Sequence, residues 1–190
     1  MKTLVCFGDS ITADETFWDG TYRLTPRLQA LFPNWKVINA GVPGDNTCDA
    51  LQRIEEDVLS YKPTFVTVFF GTNDAVSFDQ VSLQVYKENL EEFVRTVSPE
   101  KVLLISPAPV DEERQHARRN EVLKQYAKAM EEVAEQTGSH FLDLYSHMFR
   151  ESDYKKFVDN EDRDGLHFSI AGYEYSSELI GNKLKEIHSF

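Results

Sequence analysis

Phe65-Val66-Thr67-Val68-Phe69-Phe70-Gly71-Thr72-Asn73-Asp74 decides how this chain folds. Its first six residues are all β-branched or aromatic, so the strand they predict is fitted to burial on both faces. Such strands belong to parallel sheets covered by helices on each side. The run then breaks into Gly-Thr-Asn-Asp, residue types that favour turns.

Outward from this stretch the same alternation repeats. Residues 3–7 and 36–39 predict two earlier strands, and residues 101–106 and 140–144 two later ones, the fourth stopped by Pro107 and Pro109. Helical periodicity fills the intervals. Leu24, Leu28 and Leu31 share a face over residues 20–32, where Pro26 must start, kink or interrupt the helix. Leu51, Ile54 and Val58 do so over 48–61, with Asp45, Asn46 or Thr47 as the cap. A third helix over 82–98 presents Leu83, Tyr86, Leu90, Phe93, Val94 and Val97. A fourth over 114–137 turns Leu123, Tyr126, Met130 and Val133 inward. Residues 145–168 read as loop-rich, and a last helix follows Ser169 as N-cap, with Tyr173, Ile180, Leu184 and Ile187 towards the sheet. The pattern predicts one α/β domain over residues 1–190. It is a three-layer α/β/α sandwich around a five-stranded parallel sheet with right-handed crossovers.

Bulk properties narrow the function. The chain has 190 residues, 41% hydrophobic and 27% charged, as ordinary globular proteins do. A net charge of −12 argues against nucleic-acid binding and disfavours polyanionic substrates. Two cysteines, Cys6 in the first strand and Cys48 near a helix start, make no disulfide framework, and no Cys/His cluster suggests a metal. The apolar run that leads into Ser10 is too short for a signal peptide, and no stretch reaches membrane-spanning length, so the expected location is cytoplasmic.

In such a sheet, ligands bind outside the carboxyl ends of the strands. There the sequence places Gly8-Asp9-Ser10, then Asn39 to Gly44, then Gly71-Thr72-Asn73-Asp74, and Pro107 to Val110. Asp164-Gly165-Leu166-His167 precedes the last helix and can fold over the same edge. Acyl transfer needs a hydroxyl nucleophile, a base, a group that orients the base, and donors for an oxyanion. Ser10, His167 and Asp164 supply the first three. The N–H groups of Ser10 and Gly44 and the Asn73 amide supply the donors, with Gly41 assigned to the turn. Asp9 has two readings, support of the Ser10 turn and a direct catalytic part. His116, His140, His147 and His188 follow no catalytic spacing. Each fragment alone also has an ordinary turn or loop reading; their common location at strand ends is the stronger signal. Trp18, Phe78, Pro107, Pro109 and Phe168 are available as pocket walls or as packing.

On these residues the chain resembles the SGNH (GDSL-type) hydrolase superfamily. Phe7-Gly8-Asp9-Ser10-Ile11-Thr12 matches its first block, with Ile11 in place of the usual Leu. Asn39-Ala40-Gly41-Val42-Pro43-Gly44-Asp45 matches the second, Gly71-Thr72-Asn73-Asp74 the third, and Asp164-Gly165-Leu166-His167 the fifth. Within the superfamily it looks most like small bacterial lipase/acylhydrolases and isoamyl-acetate-type esterases. The resemblance implies a flavodoxin-like sandwich, a Ser10–His167–Asp164 triad, a Ser10/Gly44/Asn73 oxyanion hole, no metal or other cofactor, and cleavage of small esters through an acyl-serine.

Other readings stay open at this stage. A carbohydrate O-deacetylase or a thioesterase uses the same chemistry. A non-catalytic flavodoxin-like binding module lacks support, because the first loop carries Asp9 and no G-x-G-x-x-G. A metallophosphoesterase needs more histidine ligands than this neighbourhood offers. An α/β-hydrolase elbow requires Gly-x-Ser-x-Gly, and Thr12 stands where the second glycine belongs. The oligomeric state has no sequence signature here.

Overall fold

The computed structural model describes residues 2–187. Five strands, β1 (Lys2–Gly8), β2 (Trp35–Gly41), β3 (Phe65–Phe69), β4 (Val102–Ile105) and β5 (His140–Leu142), pair in parallel in the order β2-β1-β3-β4-β5. This is the flavodoxin-like order. The register aligns Gly41, Gly8, Phe69, Ile105 and Leu142 in one row. The carboxyl ends of all five strands therefore open on the same edge.

Strand residues alternate between two apolar layers. Val5, Phe7, Val66, Val68, Val102 and Leu104 face helices α3 (Thr47–Asp57), α4 (Leu83–Val97) and α5 (Asn120–Thr137). Leu4, Cys6, Phe65, Phe69, Leu103 and Ile105 face α2 (Leu24–Leu31), α6 (Leu144–Phe149) and α7 (Ile170–Ile187). Both faces of the sheet are thus covered, as its apolar composition requires. Each fully buried side chain of this kind contributes about 1.5–3 kcal/mol relative to exposure. On the first face Phe7 meets Phe70 and Phe93 edge-on, at centroid distances of 5.1 and 5.6 Å. Among the described residues no helix is long and apolar enough to cross a membrane.

Several expectations need correction. Pro26 lies in the first turn of α2, where its missing N–H has no intrahelical partner to lose, so the helix starts at Leu24 rather than near residue 20. Leu31 leaves the buried face of α2 and is 40% exposed. The helix expected from residue 114 begins at Asn120. Residues 112–119 offer little apolar surface to bury, and the Glu112 carboxylate accepts the Asn120 N–H at 2.8 Å. The loop-rich segment contains α6 and a 3₁₀ segment, Tyr154–Val158. Asp143 ends β5 early because its side chain caps α6. A four-residue helix, α1 (Ser10–Ala13), follows β1 directly; it is too short to carry a helical period in the sequence. Asn46 is the cap of α3, in a reciprocal pair with Asp49, and Ser169 accepts the Gly172 N–H at the start of α7.

Gly8 and Gly41 serve close approach. A Cβ on Gly8 would lie 2.3 Å from Thr12 Oγ1, and one on Gly41 would lie 2.4 Å from the Ala13 nitrogen. Only glycine lets α1 rest against the strand ends. Gly41 is therefore needed for packing, not for the turn assigned to it above.

Candidate active site

Ser10 occupies the first residue of α1, immediately beyond β1. Asp9 caps this short helix, its Oδ1 accepting the Ile11 N–H at 2.9 Å and its carbonyl accepting from Thr12 and Ala13 at 3.0 Å. As the helix's first donor, the Ser10 N–H has no intrahelical acceptor, and among the described residues it donates to none. The chain leaves β1 towards β2 on one side, while β3 pairs on the other. Ser10 therefore stands at the point where strand order reverses, the usual crevice of such folds.

The segment before α7 folds back over this point. Ser10 Oγ lies 2.9 Å from His167 Nε2, and His167 Nδ1 lies 2.5 Å from Asp164 Oδ2. Asp164 Oδ1 accepts the Leu166 and His167 N–H groups at 2.8 and 3.0 Å. Burial pulls the Asp164 carboxyl upward, but the bonds from His167 and the two backbone donors outweigh it and hold it below its ordinary value. An ionised carboxylate only accepts, so Nδ1 carries the imidazole proton and Nε2 is left to accept from Ser10. Gly165 adopts φ +70° and its carbonyl accepts the Asp111 N–H at 2.8 Å, which ties the segment to the loop after β4.

Asn73 comes from the turn after β3. Its Nδ2 donates to the Asp45 carbonyl at 2.9 Å, with Asp9 Oδ2 more distant at 3.4 Å. Its Oδ1 accepts from Arg118 Nη2 at 2.7 Å. Gly44 is exposed, adopts φ +88°, and its N–H donates to no group among the described residues. It sits between Pro43, which lines the cleft beside Ser10, and Asp45, which holds Asn73. Arg53 braces this loop, donating to Asp45 Oδ2 at 2.6 Å, to the Ala40 carbonyl at 2.8 Å and to the Gly8 carbonyl at 3.0 Å. Its guanidinium also lies over the Phe7 ring, 4.6 Å from the centroid. Nothing local in the sequence singles out Arg53 or Arg118. Both act across loops far apart in the chain, and neither belongs to a local pattern.

A cavity of about 350 Å³ opens beside Ser10 and His167, walled by Phe17, Trp18, Pro43 and Phe168 and by the polar Asp14, Arg23, Asn160, Glu161 and Asp162. Trp18 is 84% exposed. Of the expected pocket walls, Trp18 and Phe168 line it. Phe78 lies exposed elsewhere, and Pro107 and Pro109 are buried in packing. His116, His140 and His147 take no part in the cavity, and His188 lies outside the described residues. Cys6 and Cys48 are free thiols, and burial pushes that of Cys6 up to about 12.

Two acids are buried below the site. Burial pushes the Asp9 carboxyl up to about 6, against the Ile11 hydrogen bond and the attraction of His167 and Arg118. Burial also raises Asp74 to about 6. Asp74 Oδ1 accepts from the Thr47 N–H and hydroxyl, while Oδ2 has no partner among the described residues. For Asp9 the ordinary value is 3.8, so from about pH 4 to 6 the folded chain holds more protons than the unfolded one. Stability is then lost as the pH rises through that window. Asp9→Asn keeps an acceptor for Ile11 and removes the titration. The variant's stability relative to the parent is expected to rise by on the order of 3 kcal/mol between about pH 4 and pH 7, then level off. Thermal melts across that range check it, and a pH-independent gap would contradict it.

A doubly covered parallel sheet with a serine, a histidine and a carboxylate hydrogen-bonded in line at its carboxyl edge defines a hydrolase of the α/β/α class. The chain belongs to the GDSL-like lipase/acylhydrolase family, whose model matches residues 6–175. The crystal structure of a lipase/acylhydrolase from Enterococcus faecalis superposes with a TM-score of 0.87 at 35% identity, covering 98% of this chain and 96% of that one. The isoamyl acetate-hydrolyzing esterase 1 homolog of Homo sapiens is 33% identical over 90% of this chain and 77% of its own. A catalytic mutant of an acetylxylan esterase from Geobacillus stearothermophilus superposes with a TM-score of 0.78 at 25% identity, covering 96% and 94%. The chain is accordingly a carboxylic ester hydrolase.

Proposed function

We propose that the chain cleaves small carboxylic esters through an acyl-serine intermediate on Ser10. The observation that carries this reading is the hydrogen-bonded line Ser10–His167–Asp164 at the head of an open cavity. Ser10 Oγ attacks the ester carbonyl carbon as its proton passes to His167 Nε2. The charge on the former carbonyl oxygen is met by the N–H groups of Ser10 and Gly44 and by the Asn73 amide. Asp164 holds the imidazolium. The bond to the alcohol oxygen then breaks, and His167 returns the proton to the leaving alkoxide. Water adds to the acyl-enzyme with His167 again as base, releasing the acid and restoring the Ser10 hydroxyl. Further support comes from the acetylxylan esterase, whose catalytic mutants replace a serine, a histidine and an aspartate, the last two three positions apart as in Asp164 and His167.

Diisopropyl fluorophosphate tests the nucleophile directly. One equivalent is expected to bond to Ser10 with loss of fluoride and of hydrolysis, read by intact mass and peptide mapping. Inactivation without an adduct on Ser10 overturns the assignment.

O-deacetylation of a carbohydrate is a second reading favoured by one observation, the exposed Trp18 indole on the cavity wall. Its apolar face and polar N–H suit a sugar ring. The same wall carries Glu161 and Asp162, neither in an ion pair among the described residues. Esters with an anionic alcohol portion are therefore expected to show lower kcat/KM than neutral ones of equal size, the gap narrowing with added salt. A panel of neutral acetates, acetylated sugars, thioesters and carboxylate-bearing esters separates these cases. Equal rates for neutral and anionic esters at low salt would count against the charged wall.

A further inference from the structure

We propose that Arg118 is a positioning residue, clamping the Asn73 amide so that its nitrogen end faces the developing oxyanion. The inference rests on the oxyanion role given to Asn73 above. An asparagine amide has two ends of nearly equal shape, and only the nitrogen end stabilises negative charge. Turned over, the same side chain would set a carbonyl oxygen against the oxyanion. Something must therefore decide which end points where.

Arg118 makes that decision chemically. A guanidinium carries donors only, so it can hold an amide by the oxygen end alone. Arg118 Nη2 donates to Asn73 Oδ1 at 2.7 Å, and Arg118 Nε donates to the Thr72 carbonyl at 2.7 Å. The two bonds use adjacent edges of one planar fork, which fixes the guanidinium against both the side chain and the backbone of the same turn. At the opposite end of the amide, the Asp45 carbonyl takes one Nδ2 hydrogen at 2.9 Å. Asp9 Oδ2 accepts from the same Nδ2 only at 3.4 Å, a long bond that an oxyanion would displace to take the second hydrogen. Donation into Oδ1 also polarises the amide and strengthens Nδ2–H as a donor.

The placement of Arg118 fits this task. It lies in the irregular segment before α5, partly buried, with its side chain turned back on the β3 turn. Burial holds its own pKa below the ordinary value, against the pull of Asp9 and Asp164. A surface arginine with no duty would keep its guanidinium in water.

The clamp has a kinetic signature. Arg118→Ala is expected to lower kcat roughly 10–100-fold with KM nearly unchanged. This is less than the roughly 10²–10³-fold expected of Asn73→Ala, because Asp45 still holds one end. In the double variant the losses should not multiply; its kcat should fall within about twofold of Asn73→Ala alone. Arg118→Lys, a single point charge without the fork, should land between parent and Arg118→Ala. Thermal melts accompany each variant, and Arg118→Lys carries the cycle if Arg118→Ala does not fold. Multiplicative losses, or an unchanged kcat in both Arg118 variants beside a damaged Asn73→Ala, would overturn the clamp alone. An unchanged kcat in Asn73→Ala would overturn the oxyanion role and the clamp together, while Ser10 labelling still reports on the nucleophile.

Discussion

Ser10→Ala is expected to lower turnover of a short-chain chromogenic ester by roughly 10⁴–10⁶-fold while leaving the fold intact. The loss is large because, among the described residues, no other hydroxyl is hydrogen-bonded to His167. Ser10 Oγ is the hydroxyl within 2.9 Å of His167 Nε2. The residual rate would come from the oxyanion donors and from substrate binding, which the substitution leaves in place. Stability should move by no more than about 0.5 kcal/mol, since the removed hydroxyl is only partly buried and opens no enclosed cavity. Circular dichroism and a thermal melt report the fold, and single-turnover kinetics report the chemistry. Full retained activity would remove Ser10 from the mechanism.

Asp164→Asn is expected to cost roughly 10³–10⁴-fold in kcat near neutral pH, with little change in KM. The local geometry specifies why. Oδ1 of residue 164 faces the Leu166 and His167 N–H groups, and Oδ2 faces His167 Nδ1. An asparagine must keep its oxygen against the two backbone donors, so its NH₂ group is presented to Nδ1. The imidazole then adopts the opposite tautomer, with its proton on Nε2, and has no lone pair there for the Ser10 proton. The loop stays ordered because both backbone bonds survive. Proton NMR of the imidazole resonances would show the changed tautomer, and a kcat within about threefold of the parent would rule out this orienting role.

Much of this architecture was written locally. The run from Phe65 to Phe70 has no polar face, so it specifies a doubly covered strand without reference to any neighbour. The turn residues that follow each strand are equally local, which is why Ser10, Gly44 and Asn73 were legible as edge residues. Asp164 and His167 lie three positions apart, and their pairing is satisfied within one turn of chain. Helix starts were less legible. Residues 112–119 have the composition of a solvated helix but little apolar surface to bury, and contacts distant in the chain hold them: Glu112 accepts the Asn120 N–H, the Ala117 carbonyl accepts the Ser77 N–H, and Arg118 turns back towards Thr72.

Layers, strand ends and short-range partners follow from neighbouring residues, because unbroken apolar runs, helical periodicity, turn chemistry and local hydrogen bonds are all short-range properties. Only the tertiary structure decided which of these pieces meet. Ser10 and His167 touch across 157 positions, and Arg118 reaches Asn73 across 45. Those contacts depend on strand order and register, which bring Gly41, Gly8 and Phe69 to one row. The same is true of the raised Asp9 carboxyl, whose proton is held by burial beneath the site rather than by any residue beside it in the chain. Side-chain meetings of this kind leave no period in the sequence, so they are settled when the sheet closes and its carboxyl edge is assembled.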